Sequence, residues 1–208
     1  MRYDRIPKLS DSGTMASYIS CLSKLEYNTA LLYGSLAEKT ENSLAKTILL
    51  SIAQDSSKHS TTLKGVSNSI ASVEVKTKDC ANNLGPVWLT VNNYLNEVTA
   101  KKEGELSMAD LFEKLITLES TLGEEYYIFV QMQTLQHLTK EINQRYNINL
   151  FSLKSIFESI IRDENHHIEL IGTLKELAKP KEKDLDNTPI VRYQSPDNWR
   201  NYSPPNNP

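Results

Sequence analysis

The sequence predicts an all-α protein built on a bundle of four long helices. Three observations carry this. Six of the eight prolines (Pro180, Pro189, Pro196, Pro204, Pro205 and Pro208) follow residue 178, and between Pro7 and Pro180 only Pro86 interrupts the chain. So long a stretch with one proline, few glycines and little strict alternation favours helix over strand. Within it, apolar residues recur in alternating steps of three and four, the spacing of one helix face.

The first helix is expected over 13–38, where Met15, Ile19, Leu22, Glu26, Thr29, Tyr33 and Leu36 share a face. The second, over 41–72, is marked by Ala45, Leu49, Ile52, Ser56, His59, Leu63, Val66 and Ile70. Only a few residues around Lys39–Glu41 join the two, so they must be antiparallel neighbours. The third helix, over 107–140, opens with a Ser107-x-x-Asp110 variant of the capping box and carries Met108, Phe112, Leu115, Glu119, Leu122, Tyr126 and Phe129. The fourth covers 150–178 on Leu153, Phe157, Ile160, Glu164, His167, Ile171 and Leu174, and stops before Pro180. Its connection to the third is short enough for a second antiparallel return. At about 1.5 Å per residue such helices are roughly 40 Å long, as a bundle requires. Residues 73–106 form a long crossover with an extra helix starting at Pro86, its stripe made by Val87, Val91, Tyr94 and Val98.

Residues 1–178 therefore read as one helical domain. Over 179–208 proline and asparagine replace aliphatic residues, which gives an extended arm. Its aromatics, Tyr193, Trp199 and Tyr202, are candidate anchors on the bundle or on a second subunit of a homo-oligomer. A net charge of −3 gives no reason to expect nucleic acid or an anionic membrane. The first residues lack the apolar core of a signal peptide, and no window approaches the ~20 apolar residues of a membrane span. Cys21 and Cys80 stand in no CxxC pattern. The expectation is a soluble, cytoplasmic protein with both thiols reduced.

Each apolar seam is broken mid-helix by polar residues where the pattern calls for Leu or Ile. These are Glu26 in the first, Ser56 and His59 in the second, Glu119 in the third, and Glu164 and His167 in the fourth. A buried carboxylate among aliphatics is costly unless it is paired or bound to a metal. Five ionisable groups from four helices, each near its helix centre, converge on one layer. Glu164-x-x-His167 puts a carboxylate and an imidazole on adjacent turns of one face, where both can reach one ion. The competing register through Asp163 and His166 gives a poorer seam, so those two are expected at a flank or in solvent. Asp55, one residue before Ser56, is a further ligand candidate, rotated from the seam by about 100°.

The seams also repeat. Glu26 and Tyr33 recur as Glu119 and Tyr126 at an offset of 93, while Ser56 and His59 recur as Glu164 and His167 at an offset of 108. A helix pair with Glu-x6-Tyr on one member and an inward His on the other has been used twice, which predicts a pseudo-twofold site. Tyr33 and Tyr126 lie two turns from their glutamates, roughly 10 Å, too far to bind the same ion. They are expected to pack as ordinary aromatics with satisfied hydroxyls. The other roles open to them are a hydrogen bond to a ligand on a neighbouring helix, or electron transfer.

This pattern resembles the ferritin-like superfamily, the rubrerythrin and ferritin di-metal carboxylate bundles, over about residues 13–178. The resemblance implies that Glu26, His59, Glu119, Glu164 and His167 are metal ligands. Glu26 and Glu119 would be terminal carboxylates, Glu164 a bridge, and each histidine would serve one ion. It also implies one or two transition-metal ions, iron first with manganese or zinc as alternatives, and oxidase, ferroxidase or peroxidase-type chemistry. One family position departs: the second-helix Glu of Glu-x-x-His is Ser56. That loss leaves three carboxylates and keeps open a non-catalytic, oligomeric bundle with a degenerate site.

Overall fold

The computed structural model of the chain describes residues 12–100, 108–123 and 150–177. All regular structure among them is helical: α1 (Ser12–Glu38), α2 (Ser43–Ile70), α3 (Thr77–Leu84), α4 (Pro86–Ala100), α5 (Met108–Ser120) and α6 (Leu150–Leu177). A turn of π-helix at 121–123 continues α5. The expected cap at Ser107, together with Tyr126, the connection between the third and fourth helices, and the arm with Tyr193, Trp199 and Tyr202, lies outside the described residues.

Boundaries follow local chemistry. α2 begins two residues later than the periodicity suggests, because Asn42 adopts an extended backbone and its side chain accepts the Ala45 amide at 3.0 Å. This satisfies one of the donors a helix start leaves open. α2 ends where Ala71 turns extended. The crossover holds one helix more than expected. α3 is opened by Asp79, whose carboxylate accepts the Lys76 amide at 3.2 Å, and closed by Gly85. Gly85 has φ +57°, a value that favours glycine, and Pro86 then starts α4 with φ preset. α3 is too short to show a seam, burying only Cys80 and Leu84.

α1 packs along α2 and also against α3 and α4; α5 packs on α6, and α2 on α6. The shared core contains Ile19, Leu22 and Leu25 of α1, Leu49, Ile52 and Leu63 of α2, Leu115 and Leu122 of the α5 segment, and Phe157, Ile160 and Ile171 of α6. Each such side chain contributes about 1.5–3 kcal/mol on burial. Two serine hydroxyls cross between α1 and α2, Ser23 to the Ser60 carbonyl and Ser67 to the Ala16 carbonyl, both at 2.7 Å.

The expectation of two reduced thiols is overturned. Cys21 of α1 and Cys80 of α3 form a disulfide, with Cα atoms 5.0 Å apart and both side chains buried. Residues 59 apart in sequence meet because the crossover folds α3 back onto α1. Disulfides are rare in reducing compartments, so the inference of a cytoplasmic location loses the support of free thiols. No described helix is long and apolar enough to cross a membrane.

Candidate metal centre

The seam residues meet as the periodicity predicts. Glu26 of α1, Ser56 and His59 of α2, Glu119 of α5, and Glu164 and His167 of α6 are all buried, none more than 2% exposed. They form two groups of potential ligands, Glu26–His59–Glu164 and Glu119–Glu164–His167, with Glu164 common to both.

The halves match closely. In the first, His59 Nδ1 lies 3.0 Å from Glu164 Oε1 and 3.9 Å from Glu26 Oε2. In the second, His167 Nδ1 lies 3.1 Å from Glu119 Oε2 and 3.9 Å from Glu164 Oε2. Donors bound to one ion at about 2.1 Å stand no more than about 4.2 Å apart. All four separations meet that limit, so the residues present fit a metal. The imidazole rings are 6.1 Å apart.

The first half also shows an unmet need. Both oxygens of Glu26, His59 Nδ1 and Glu164 Oε1 are buried without a hydrogen-bond partner. The short approach of His59 Nδ1 to Glu164 Oε1 lacks hydrogen-bond geometry. These atoms converge side by side, as ligands of a shared cation do. Uncompensated burial of this kind costs several kcal/mol.

Outer groups hold the imidazoles. His59 Nε2 is 3.1 Å from Asp163 of α6, and His167 Nε2 makes a longer contact of 3.5 Å with Asp55 of α2. Donation from Nε2 to Asp163 leaves the His59 Nδ1 lone pair aimed at the interior. Asp55 thus joins neither ligand group but stands behind a ligand. Asp163 does lie at the flank, as expected, yet it has a role the seam pattern does not reveal. Its signal is the repeat itself: Asp55 and Asp163 are also 108 apart (163 − 55). Lys58 lies 2.6 Å from Asp55 and 3.7 Å from Asp163, and spans the two at the surface. His166 is exposed and faces Glu169.

Tyr33 hydrogen-bonds a carboxylate of a neighbouring helix, the first of the other roles open to it. Its hydroxyl donates to Glu119 Oε1 at 2.5 Å, deep in the core, while Glu119 Oε2 faces His167. Gly123, in the π-helical turn, is a close approach that the sequence reading leaves out. A Cβ there would stand 2.9 Å from Glu164 Cβ.

Electrostatics separates the carboxyls. Burial, reinforced by the charge of Glu164, pushes Glu26 well above the ordinary carboxylate range. Burial also pushes Glu164 well up, with the charge of Glu119 and a hydrogen bond to it adding. For Glu119 burial works upward too, but hydrogen bonds from His167, Glu164 and Tyr33 and the His167 charge outweigh it, and its pKa falls. Without metal, Glu119 is the anion of the group, and Glu26 and Glu164 keep their protons to higher pH. Tyr33 is raised by burial and by the neighbouring Glu119 charge. Ser56 faces the same interior, and its hydroxyl favours the Glu26 anion although neither Glu26 oxygen meets hydrogen-bond geometry.

No protein-family model, curated protein or solved structure matches the chain.

Proposed function

We propose that this protein is a ferritin-like metalloprotein whose helices hold one or two transition-metal ions, preferably iron, for oxidative chemistry with O₂ or peroxide. The observation that carries this reading is Glu164, whose Oε1 faces His59 and whose Oε2 faces His167. A carboxylate that addresses two imidazole-containing groups from opposite oxygens could reach an ion in each. Mixed carboxylate and imidazole donors suit iron or manganese, with zinc the usual competitor.

Iron bound there would supply one-electron redox chemistry. The chain's own residues bind and orient. Glu26 and Glu119 each close one half, and Tyr33 fixes the Glu119 carboxylate by donating to its outer oxygen. Asp163 and Asp55 hold the imidazoles from behind. Ile52, Leu63, Leu115, Leu122, Ile160 and Ile171, about one turn above and below, keep water from the layer.

The test is elemental analysis of protein purified without chelator, then anaerobic addition of Fe(II) and exposure to O₂. Bound iron with oxidation faster than the buffer blank is expected. Trace metal and no oxidation above the blank would leave a structural bundle with a degenerate site.

A further inference from the structure

One position of the repeat lacks its carboxylate. Ser56 is the repeat mate of Glu164 (164 − 56 = 108), sits one turn before His59 on the inward face of α2, and is 1% exposed. A serine side chain ends at Oγ where glutamate continues through a methylene to a carboxylate. The carboxylate that serine lacks is about the size of formate. Beside this position lies the half-site whose ligand atoms are unpartnered: Glu26 Oε1 and Oε2, His59 Nδ1 and Glu164 Oε1.

Charge points the same way. The three buried carboxyls Glu26, Glu119 and Glu164 bring at most −3 against the +4 of two divalent ions, and Asp55 and Asp163 behind the histidines share their charge with Lys58 at the surface. An uncompensated buried charge is expensive, whereas with a single ion the remaining negative charge can rest on Glu119, where the Tyr33 hydroxyl already donates. We propose that Ser56 marks a site for an exogenous small carboxylate or bicarbonate, which completes the bridge and admits the second metal ion. This rests on the metal-binding reading above. The added anion's two oxygens would take the place of the absent glutamate's, one towards each ion. In the metal-free protein the Glu119 anion repels a second anion and no cation is there to attract it, so anion and second ion bind as a coupled pair.

The experiment is equilibrium dialysis of the full chain against Mn(II) at fixed ionic strength, in chloride and then with formate, acetate or bicarbonate. The parent should hold close to one ion per chain in chloride and approach two with at least one of the added anions. Which anion works separates a monocarboxylate from bicarbonate. Ser56→Glu should reach two in chloride alone, with no further response to anions. Ser56→Val, which fills the position with methyls, should keep the first ion and lose the anion response. Two ions in chloride would show that hydroxide or water suffices, and would overturn the proposal. One ion under every condition, or an anion response that survives in Ser56→Val, would overturn it as well. No Mn(II) bound under any condition would instead remove the metal-binding reading on which it stands.

Discussion

At the scale of single residues, Glu164 joins the two halves and its loss should be felt in both. Glu164→Ala is expected to abolish core metal binding while circular dichroism still shows a helical protein, because Ile160 and Ile171 anchor α6 on either side. Glu26→Ala should remove only the His59 half and leave His167 with its partners, a difference that metal titration reads directly. Gly123→Ala places a methyl 2.9 Å from Glu164 Cβ, an atom that cannot swing aside. We expect a cost of about 1–3 kcal/mol in stability, read by thermal melts, together with weaker metal binding. The buried polar cluster was legible in the sequence because each member puts a polar residue into an apolar seam. Tyr33 was only half legible. Its distance from Glu26 along α1 is fixed by helix geometry, but its bond to Glu119 depends on a neighbouring helix. Gly123 left no trace, since a close approach shows only in three dimensions.

At the scale of elements, α2 and α6 support each other's histidines, Asp163 behind His59 and Asp55 behind His167. Asp163→Asn keeps the size but weakens acceptance from Nε2–H, and should lower metal affinity about 10–100-fold. Asp55→Asn should do less, because its contact is longer and its charge is already shared with Lys58. Titration calorimetry on both variants checks the order; equal losses would contradict it. The π-helical turn at 121–123 starts two residues after Glu119 and brings Gly123 against Glu164. Such turns are frequent at functional sites. The disulfide belongs to this scale as well, since it ties the crossover to the helix that carries Glu26. Closing a loop between residues 59 apart is worth about 4 kcal/mol by chain entropy. Cys21→Ala/Cys80→Ala should therefore melt roughly 10 °C lower than the parent. The long helices α1, α2 and α6 were readable because seams of that length leave no competing period, and α5 follows its seam over the residues described. α3 was not, being too short for periodicity, and the disulfide depends on it.

For the molecule as a whole, proton binding and stability are linked, and a bound metal would join them. Glu26 and Glu164 have folded pKa values raised well above the ordinary 4.5, so the unfolded chain ionises first as pH rises. Their stabilising contribution is present below that value and is lost as pH climbs through the raised pKa values. Glu119 is depressed, so its contribution has the opposite sign and disappears below its folded pKa. In chelator, the melting temperature of the parent relative to Glu26→Gln/Glu164→Gln should rise on acidification from neutrality towards 4.5. With metal bound, protons are displaced, and the stabilisation by metal should shrink over the same range. A flat difference in both series would contradict the burial of these carboxyls in the folded protein. The most direct measurement is anomalous scattering from crystals of the full chain loaded with Mn(II) in formate. Two peaks are expected on either side of Glu164, one at about 2.0–2.3 Å from His59 Nδ1 and Glu26, the other at a similar distance from His167 Nδ1 and Glu119. Loaded crystals with an ordered core and no anomalous density between these residues would contradict a metal centre in this protein.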